Sequence, residues 1–236
     1  MRERPISAVP WFALVLFTAA LGAQLLFQQY VASTDSNRKS LPDAPTPAFY
    51  SLTGLGDANA SSKVALLWLQ SVDMQQGRQI NYRQLDYPRL VEWLTSLSNV
   101  DPDSSYSLLL ATHIYTNSPD PLQKRQMLDF VKTRFLLAPD RHWRWMTHAA
   151  TIARHQLDDL ELALAYAELL RTRTSSDRVP GWARQMSIFL LEDMGETEAA
   201  TIILGGLLES GAINDEHERT FLVEKLNQLK NQTPSR

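Results

Sequence analysis

The sequence predicts an all-α protein with an N-terminal transmembrane helix, a flexible stalk, and about four stacked helical hairpins that end in a C-terminal capping helix. Three observations support this prediction. An uncharged apolar segment opens the chain, and a segment rich in proline and small polar residues follows it. From Lys63 onward, apolar residues recur at helical spacing with almost no alternating strand pattern.

The N-terminal apolar segment runs from Ile6 to Phe27 without a charged residue. As a helix, these 22 residues rise roughly 33 Å, enough for a hydrocarbon core of about 30 Å. Arg2 and Arg4 precede the segment, so the positive-inside tendency places the N-terminus in the cytoplasm and the rest of the chain outside. The side chains that mark this anchor are Trp11, Phe12, Leu16, Phe17 and Leu25.

Two other interpretations of this segment stay open. A cleavable signal peptide also pairs a basic flank with an apolar run, but the run here exceeds the usual length of about 7 to 15 residues. The small residues at Gly22-Ala23 and Val31-Ala32-Ser33 make poor cleavage sites. A buried helix of a soluble domain is the third interpretation, and it requires protein on every side of the helix.

Composition and charge divide the chain and exclude several functions. The predicted parts are a cytoplasmic tail (1–5), an anchor (6–30), a stalk (31–61), a helical domain (62–231) and a disordered tail (232–236). The stalk carries three prolines, and its apolar patch at 48–52 is a candidate for docking onto the domain.

The net charge of -3 provides no positive field for phosphates, so nucleic acid is not an expected partner. Without cysteine, the chain has no disulfides, thiolate metal sites or cysteine nucleophiles.

Nine helices are predicted in the domain. Asp120, Asp158 and Asp215 each stand near the start of one, with Gln or Glu three residues later, which is the pattern of a helix N-cap. We therefore interpret these acids as caps and not as catalytic carboxylates. The predicted helices are 62–76, 87–99, 104–116, 121–137, 142–156, 159–173, 180–194, 196–210 and 216–230.

An internal repeat connects the later hairpins. Three pairs of like residues are each 37 positions apart: Pro102 and Pro139, Trp145 and Trp182, Ala163 and Ala200. A fixed period of this length is typical of helical solenoids, in which each repeat packs on the next.

The clearest unit spans Trp182 to Gly211. Gly195 makes the turn between its two helices, and Ala199-Ala200 lets the second helix approach the first closely. Here the chain resembles a tetratricopeptide repeat, and the preceding unit, Arg144 to Thr174, matches through Ala163. The chain departs from that family because the first helix lacks the usual glycine, and because the turn at 116–120 is longer.

The resemblance implies a concave groove lined by the first helix of each unit. In such repeats, groove-facing positions lie 18, 15 and 8 residues before the small residue of the second helix. The implied groove residues are therefore Trp145, His148 and His155 in one unit, and Trp182, Gln185 and Glu192 in the next. A competing interpretation is that Trp145 and Trp182 only fill the contact between units.

No enzyme, cofactor, metal or small-molecule substrate is expected. His148 and His155 are seven residues apart, so about 10.5 Å of helix separates them, which is too far to share one zinc ion. Phosphate loops and nucleophile motifs do not occur. The run Arg141 to Trp145 alternates basic and aromatic residues, a pattern that occurs at phosphate or lipid sites and, more often, in a helix that buries its tryptophans.

These observations predict a single-pass inner-membrane protein whose periplasmic domain binds other proteins and so assembles or tethers an envelope complex. An alternative is an accessory subunit that contacts a larger membrane complex mainly through its transmembrane helix. Gly22, with Ala19, Ala20 and Ala23, forms a small-residue patch suited to helix packing in lipid. An enzyme is a third and weaker hypothesis.

Overall fold

A computed structural model describes residues 10–34, 41–54, 57–73, 82–211, 213 and 215–232. Within these ranges the chain forms helices and turns without a β-strand, so the all-α prediction is confirmed. The predicted cytoplasmic tail, 1–5, and residues 233–236 of the predicted C-terminal tail lie outside the described residues. The chain forms two compact units, Met1–Leu41 and Pro42–Arg236.

The described part of the first unit contains one helix, α1 (Trp11–Thr34), of 24 residues without a charged side chain. Its large apolar side chains are exposed, including those of all five predicted anchor residues: Trp11, Phe12, Leu16, Phe17 and Leu25. Across the described residues, no helix combines the length and the hydropathy needed to cross a membrane. The membrane span therefore stays a prediction.

The second unit begins with two helices, α2 (Pro47–Thr53) and α3 (Ala58–Asp73), and α2 lies inside the predicted stalk. Pro47 is at the start of α2, where a missing backbone N–H has no cost, so this proline begins a helix instead of extending the chain. Tyr50 is buried, and its carbonyl accepts a 2.8 Å hydrogen bond from the Ser61 hydroxyl. The apolar patch at 48–52 thus supplies a buried residue to the domain.

The remaining helices follow the predicted ranges closely, with one exception. The predicted helix at 104–116 is divided into a short α-helix, a π-helical turn and a 3₁₀ turn. The hydroxyls of Thr112 and Thr116 donate to carbonyls four residues back, and such bonds bend helices. The elements after α3 are a 3₁₀ turn (Tyr82–Gln84), α4 (Tyr87–Val100), α5 (Tyr106–Leu109), the π-turn (Leu110–Ile114), a 3₁₀ turn (Tyr115–Asn117), α6 (Pro121–Leu137), α7 (Pro139–Gln156), α8 (Leu160–Arg173), α9 (Gly181–Asp193), α10 (Thr197–Glu209) and α11 (Glu216–Gln232).

Two of the three predicted N-caps form as expected. The carboxylate of Asp120 accepts a hydrogen bond from the Leu122 amide, and Asp215 caps α11 in the same way. For α8 the cap is Asp159, which accepts from the Leu162 amide, and not the predicted Asp158. Asp158 instead adopts a left-handed conformation, φ 52°, in the turn after α7. Aspartate tolerates that conformation better than most residues.

Consecutive helices from α6 to α11 pack against each other in chain order. Alternate helices also meet: the rings of Trp143 in α7 and Trp182 in α9 lie 5.7 Å apart, and those of Phe189 in α9 and Phe221 in α11 lie 6.5 Å apart. This neighbour-to-neighbour packing is compatible with a solenoid-like stack.

Two of the three small residues predicted to bring paired helices together are fully buried. Ala163 in α8 and Ala200 in α10 have no exposed surface, whereas Ala199 is half-buried. Ala200 belongs to the apolar core at the C-terminal end of the stack, where α9, α10 and α11 meet. The buried members of this core are Ile188, Leu191, Ala200, Leu204, Leu222 and Leu229.

Gly195 makes the turn between α9 and α10, as the sequence predicts. It has a positive φ of 78°, and its amide donates to the Glu192 carbonyl. The next amide, that of Glu196, donates to the Leu191 carbonyl at 2.8 Å. This pair of bonds forms a C-terminal helix cap in which the left-handed residue is normally glycine.

Substituting alanine at two nearby glycines is expected to have opposite effects on stability. Gly195→Ala should lower the free energy of unfolding by about 1 kcal/mol, because a Cβ disfavours the left-handed conformation. Gly206→Ala, inside α10, should raise it by about 0.5–1 kcal/mol, because alanine is the better helix former. A Cβ at Gly206 meets no atom within 4 Å. Urea unfolding of the full chain in detergent micelles, followed by tryptophan fluorescence, measures both effects, and a stabilising Gly195→Ala would contradict the turn.

Candidate functional site

Helix α7 presents one row of polar side chains that contains a guanidinium and two imidazoles. Arg144, His148, Thr151 and His155 are four, three and four residues apart, so they share one side of the helix. His148 is half-buried, and the other three are exposed. We call these four residues the basic row.

Helix α9 presents a second row of different chemistry. Trp182, Met186 and Phe189 are four and three residues apart and form what we call the apolar row. Trp182 is 53% exposed, although the ring of Trp143 packs edge-on against it, and Met186 and Phe189 are half-buried. A tryptophan that leaves half of its surface in water beside other apolar side chains is typical of contact surfaces.

The two rows border a cleft of about 240 Å³ between α7 and α9. Thr151 and His155 line it from the basic row, and all three residues of the apolar row line it from the other side. The buried side chains of Ala150 and Leu190 also line it, as does Arg154. We call this space the interhelix cleft, and we take it with the two rows as the candidate functional site.

An ion pair joins the two helices beside the cleft. Arg154 in α7 approaches Asp193 in α9 to 2.5 Å, with each side chain about one-third exposed. A pair this exposed contributes at most about 1 kcal/mol to stability. Both helices also pack against α8. The guanidinium of Arg144 lies over the Trp143 ring at 5.1 Å and pairs with no carboxylate among the described residues.

Two of the sequence-predicted groove residues, Trp145 and His148, face the π-turn. The ring of His113 lies 4.4 Å from the ring of His148 and 6.0 Å, edge-on, from that of Trp145. Burial, and secondarily the neighbouring His113, lowers the pKa of His148. The basic row of α7 thus continues onto His113, which is exposed.

Two further predicted groove residues, Gln185 and Glu192, connect α9 to α11. Gln185 is buried, and its amide nitrogen donates to the Glu218 carboxylate. The Glu192 carboxylate pairs with the Lys225 ammonium at 2.6 Å. Both side chains are used in contacts between helices, whereas His155 and Trp182, the last two of the six, line the interhelix cleft.

The predicted groove residues do not include seven residues of this site, which are Arg144, Ala150, Thr151, Arg154, Met186, Phe189 and Leu190. The fixed offsets implied by the repeat resemblance sample only three positions of each first helix. The sequence did contain a signal for the apolar row. Trp182, Met186 and Phe189 are four and three residues apart, so a helix places them on the same face as the predicted Trp182.

Comparison with known proteins supplies no family for this site. No protein-family model, curated protein or solved structure matches the chain. Among the described residues, no group of three or more His, Asp or Glu side chains is placed to hold a metal ion.

His142, near the start of α7, is a buried histidine outside the cleft. It is 3% exposed, and its Nδ1 atom has no hydrogen-bond partner among the described residues. Burial, reinforced by the positive charges of Arg134 and Arg141, lowers the pKa of His142 to about 4. The imidazole is therefore neutral in the folded protein at neutral pH.

The stability of the domain is expected to fall between about pH 6.5 and pH 4, because the unfolded chain binds a proton at His142 that the folded chain excludes. The stabilisation is fully present above the unfolded pKa, and the contribution of His142 to the loss is at most about 3 kcal/mol. His142→Leu should remove much of the fall, because leucine does not titrate. Urea midpoints of the full chain in micelles at pH 7 and pH 4.5 test this, and identical pH dependence in His142→Leu and the unsubstituted chain would contradict it.

Proposed function

We propose that this chain is a membrane-anchored scaffold that binds other proteins through its stacked hairpins. The interhelix cleft carries the proposal, because it is an open space bordered by an exposed tryptophan between two helices that both pack against α8. Covering the exposed part of Trp182 would remove on the order of 100 Å² of apolar surface from water, worth about 2–3 kcal/mol.

The tetratricopeptide-like architecture is part of this proposal. The 37-residue spacing of Ala163 and Ala200 supports it, because both residues are buried where a second helix packs in a hairpin. Chain-order packing from α6 to α11 also supports it. The polar surface of α11, with Glu216, Glu224 and Lys230 exposed, suits a helix that ends a stack.

The membrane anchor is α1 in this proposal. The helix has 24 residues, which corresponds to a rise of roughly 36 Å, and it has no charged side chain. Its exposed phenylalanine, leucine and tryptophan side chains favour lipid over water. With Arg2 and Arg4 retained in the cytoplasm, the helical domain faces the periplasm. Because the anchor confines the domain to the membrane, it raises the effective concentration of the domain near a partner in the same membrane.

A photo-crosslinking amino acid at Met186 should form adducts with specific proteins in living cells, because Met186 lines the interhelix cleft. The same amino acid at Ile202, an exposed position on α10, is the matched control. In the chain that carries the crosslinking amino acid at position 186, adding Trp182→Ala should reduce the adducts at least several-fold, because the partner loses its contact with the exposed indole ring. Adducts that are equal at both positions, or that persist unchanged with Trp182→Ala, would contradict binding at the cleft.

Replacing α1 with an unrelated transmembrane helix of the same length distinguishes the scaffold from the accessory subunit. A scaffold retains the Met186 adducts after the exchange, and an accessory subunit loses its partners. The second function has one observation in its favour, because no side chain in the described part of α1, apart from those of its chain neighbours, lies within 4 Å of a Cβ placed on Gly22. Alkaline extraction of membranes tests the anchor separately. Release of the unsubstituted chain from the membranes at high pH would contradict a membrane-spanning α1.

A further inference from the structure

The interhelix cleft has one polar border and one apolar border. The basic row on α7 lines the cleft with Thr151 and His155, and it continues beyond the cleft to His148 and Arg144, with His113 of the π-turn beside His148. The apolar row on α9 provides only an indole, a thioether and a phenyl ring. An occupant that satisfies both borders needs hydrogen-bond acceptors or negative charge along one side and apolar side chains along the other.

Carboxylates are absent from the residues that line the cleft. The nearest acids along α9 are already paired, Asp193 with Arg154 and Glu192 with Lys225. The chain as a whole carries a net charge of -3, so the basic character of this surface does not follow from composition. It is a local arrangement of side chains that leaves Arg144 without a partner carboxylate among the described residues.

The size of the cleft indicates what kind of molecule enters it. Its volume of about 240 Å³ lies below the range of about 300–1,000 Å³ that small-molecule pockets occupy. It suits one or two side chains of a larger partner. A flat lipid surface cannot enter a space between two helices, which favours a protein segment over anionic headgroups.

We propose that the interhelix cleft binds an acidic amphipathic segment of a partner protein, with its carboxylates along the basic row and its apolar side chains against the apolar row. The inference rests on the proposed scaffold function and adds the chemistry of the partner. Carboxylates near Arg144 gain a charge-assisted hydrogen-bond partner, and an apolar side chain in the cleft covers Trp182 and Met186. Helical segments present these two faces through residues three and four apart.

Defined peptides test this chemistry directly. A fluorescent helical peptide of leucine and glutamate, with leucine on one face, is compared with matched peptides that carry lysine or glutamine in place of glutamate. Full chain in neutral detergent should bind the glutamate peptide at least tenfold more tightly than the lysine peptide, as measured by fluorescence anisotropy. The preference should decrease with added salt, because exposed charges are screened.

Charge-reversing variants locate the binding. Thr151→Glu places a carboxylate at the cleft, and Arg144→Glu reverses the unpaired guanidinium; both positions are exposed, so the fold should tolerate either change. Each variant should weaken glutamate-peptide binding about tenfold or more and strengthen lysine-peptide binding. Thr172→Glu on α8 and Ile202→Glu on α10, also exposed, should change neither affinity.

Equal affinity for the glutamate and lysine peptides, or a preference that both cleft variants leave unchanged, would overturn the inference. Competition with lipid vesicles tests whether the cleft is instead a lipid site. If anionic vesicles displace the peptide and zwitterionic vesicles do not, and if Arg144→Glu and Thr151→Glu abolish that displacement, the inference is also overturned. Adducts at Met186 that depend on Trp182, without a preference for the glutamate peptide, would leave the scaffold function standing and remove only this inference. If neither the adducts nor the peptide preference is observed, the scaffold function and this inference are both contradicted.

Discussion

The contact between α7 and α9 is the interaction on which the candidate site depends. The Trp143 and Trp182 rings meet edge to face, and the Arg154–Asp193 pair bridges the same two helices farther along. Edge-to-face aromatic contacts contribute about 0.5–1.5 kcal/mol beyond the area they bury, more than an exposed ion pair provides. Together the two contacts link α7 and α9, and both helices also pack against α8. This arrangement places residues of the basic row and of the apolar row along a single cleft.

Trp182 remains half exposed although its ring contacts Trp143. The two rings lie edge to face at 5.7 Å, and no other aromatic ring of the described chain lies against Trp182. The buried Ala150 also lines the cleft, and its single methyl group fills little of that space. Under the proposed function, a partner covers the exposed part of the indole without displacing a side chain of the domain.

Local sequence patterns were sufficient for most of the helices and for several of their ends, since caps and left-handed glycines act over a few residues. Asp120, Asp215 and Gly195 have the structures that their neighbours predicted. Long-range contacts decided the rest. Which of Asp158 and Asp159 caps α8 depends on how α7 ends, and the helix at 47–53 depends on burial of Tyr50 in the domain. In the candidate site, repeat offsets located His155 and Trp182. They could not show that Gln185 and Glu192 bind side chains of α11, because partners 33 residues away carry no local signal.

The most direct test of the stacked arrangement is a double-mutant cycle between Trp143 and Trp182. The free energies of unfolding of the full chain, Trp143→Ala, Trp182→Ala and the double variant are measured under one condition in micelles. We expect a coupling energy of about 0.5–1.5 kcal/mol for this pair and none for Trp145 with Trp182, since Trp145 faces His113 instead. Zero coupling between Trp143 and Trp182, or an equal coupling for Trp145, would contradict the stacked arrangement.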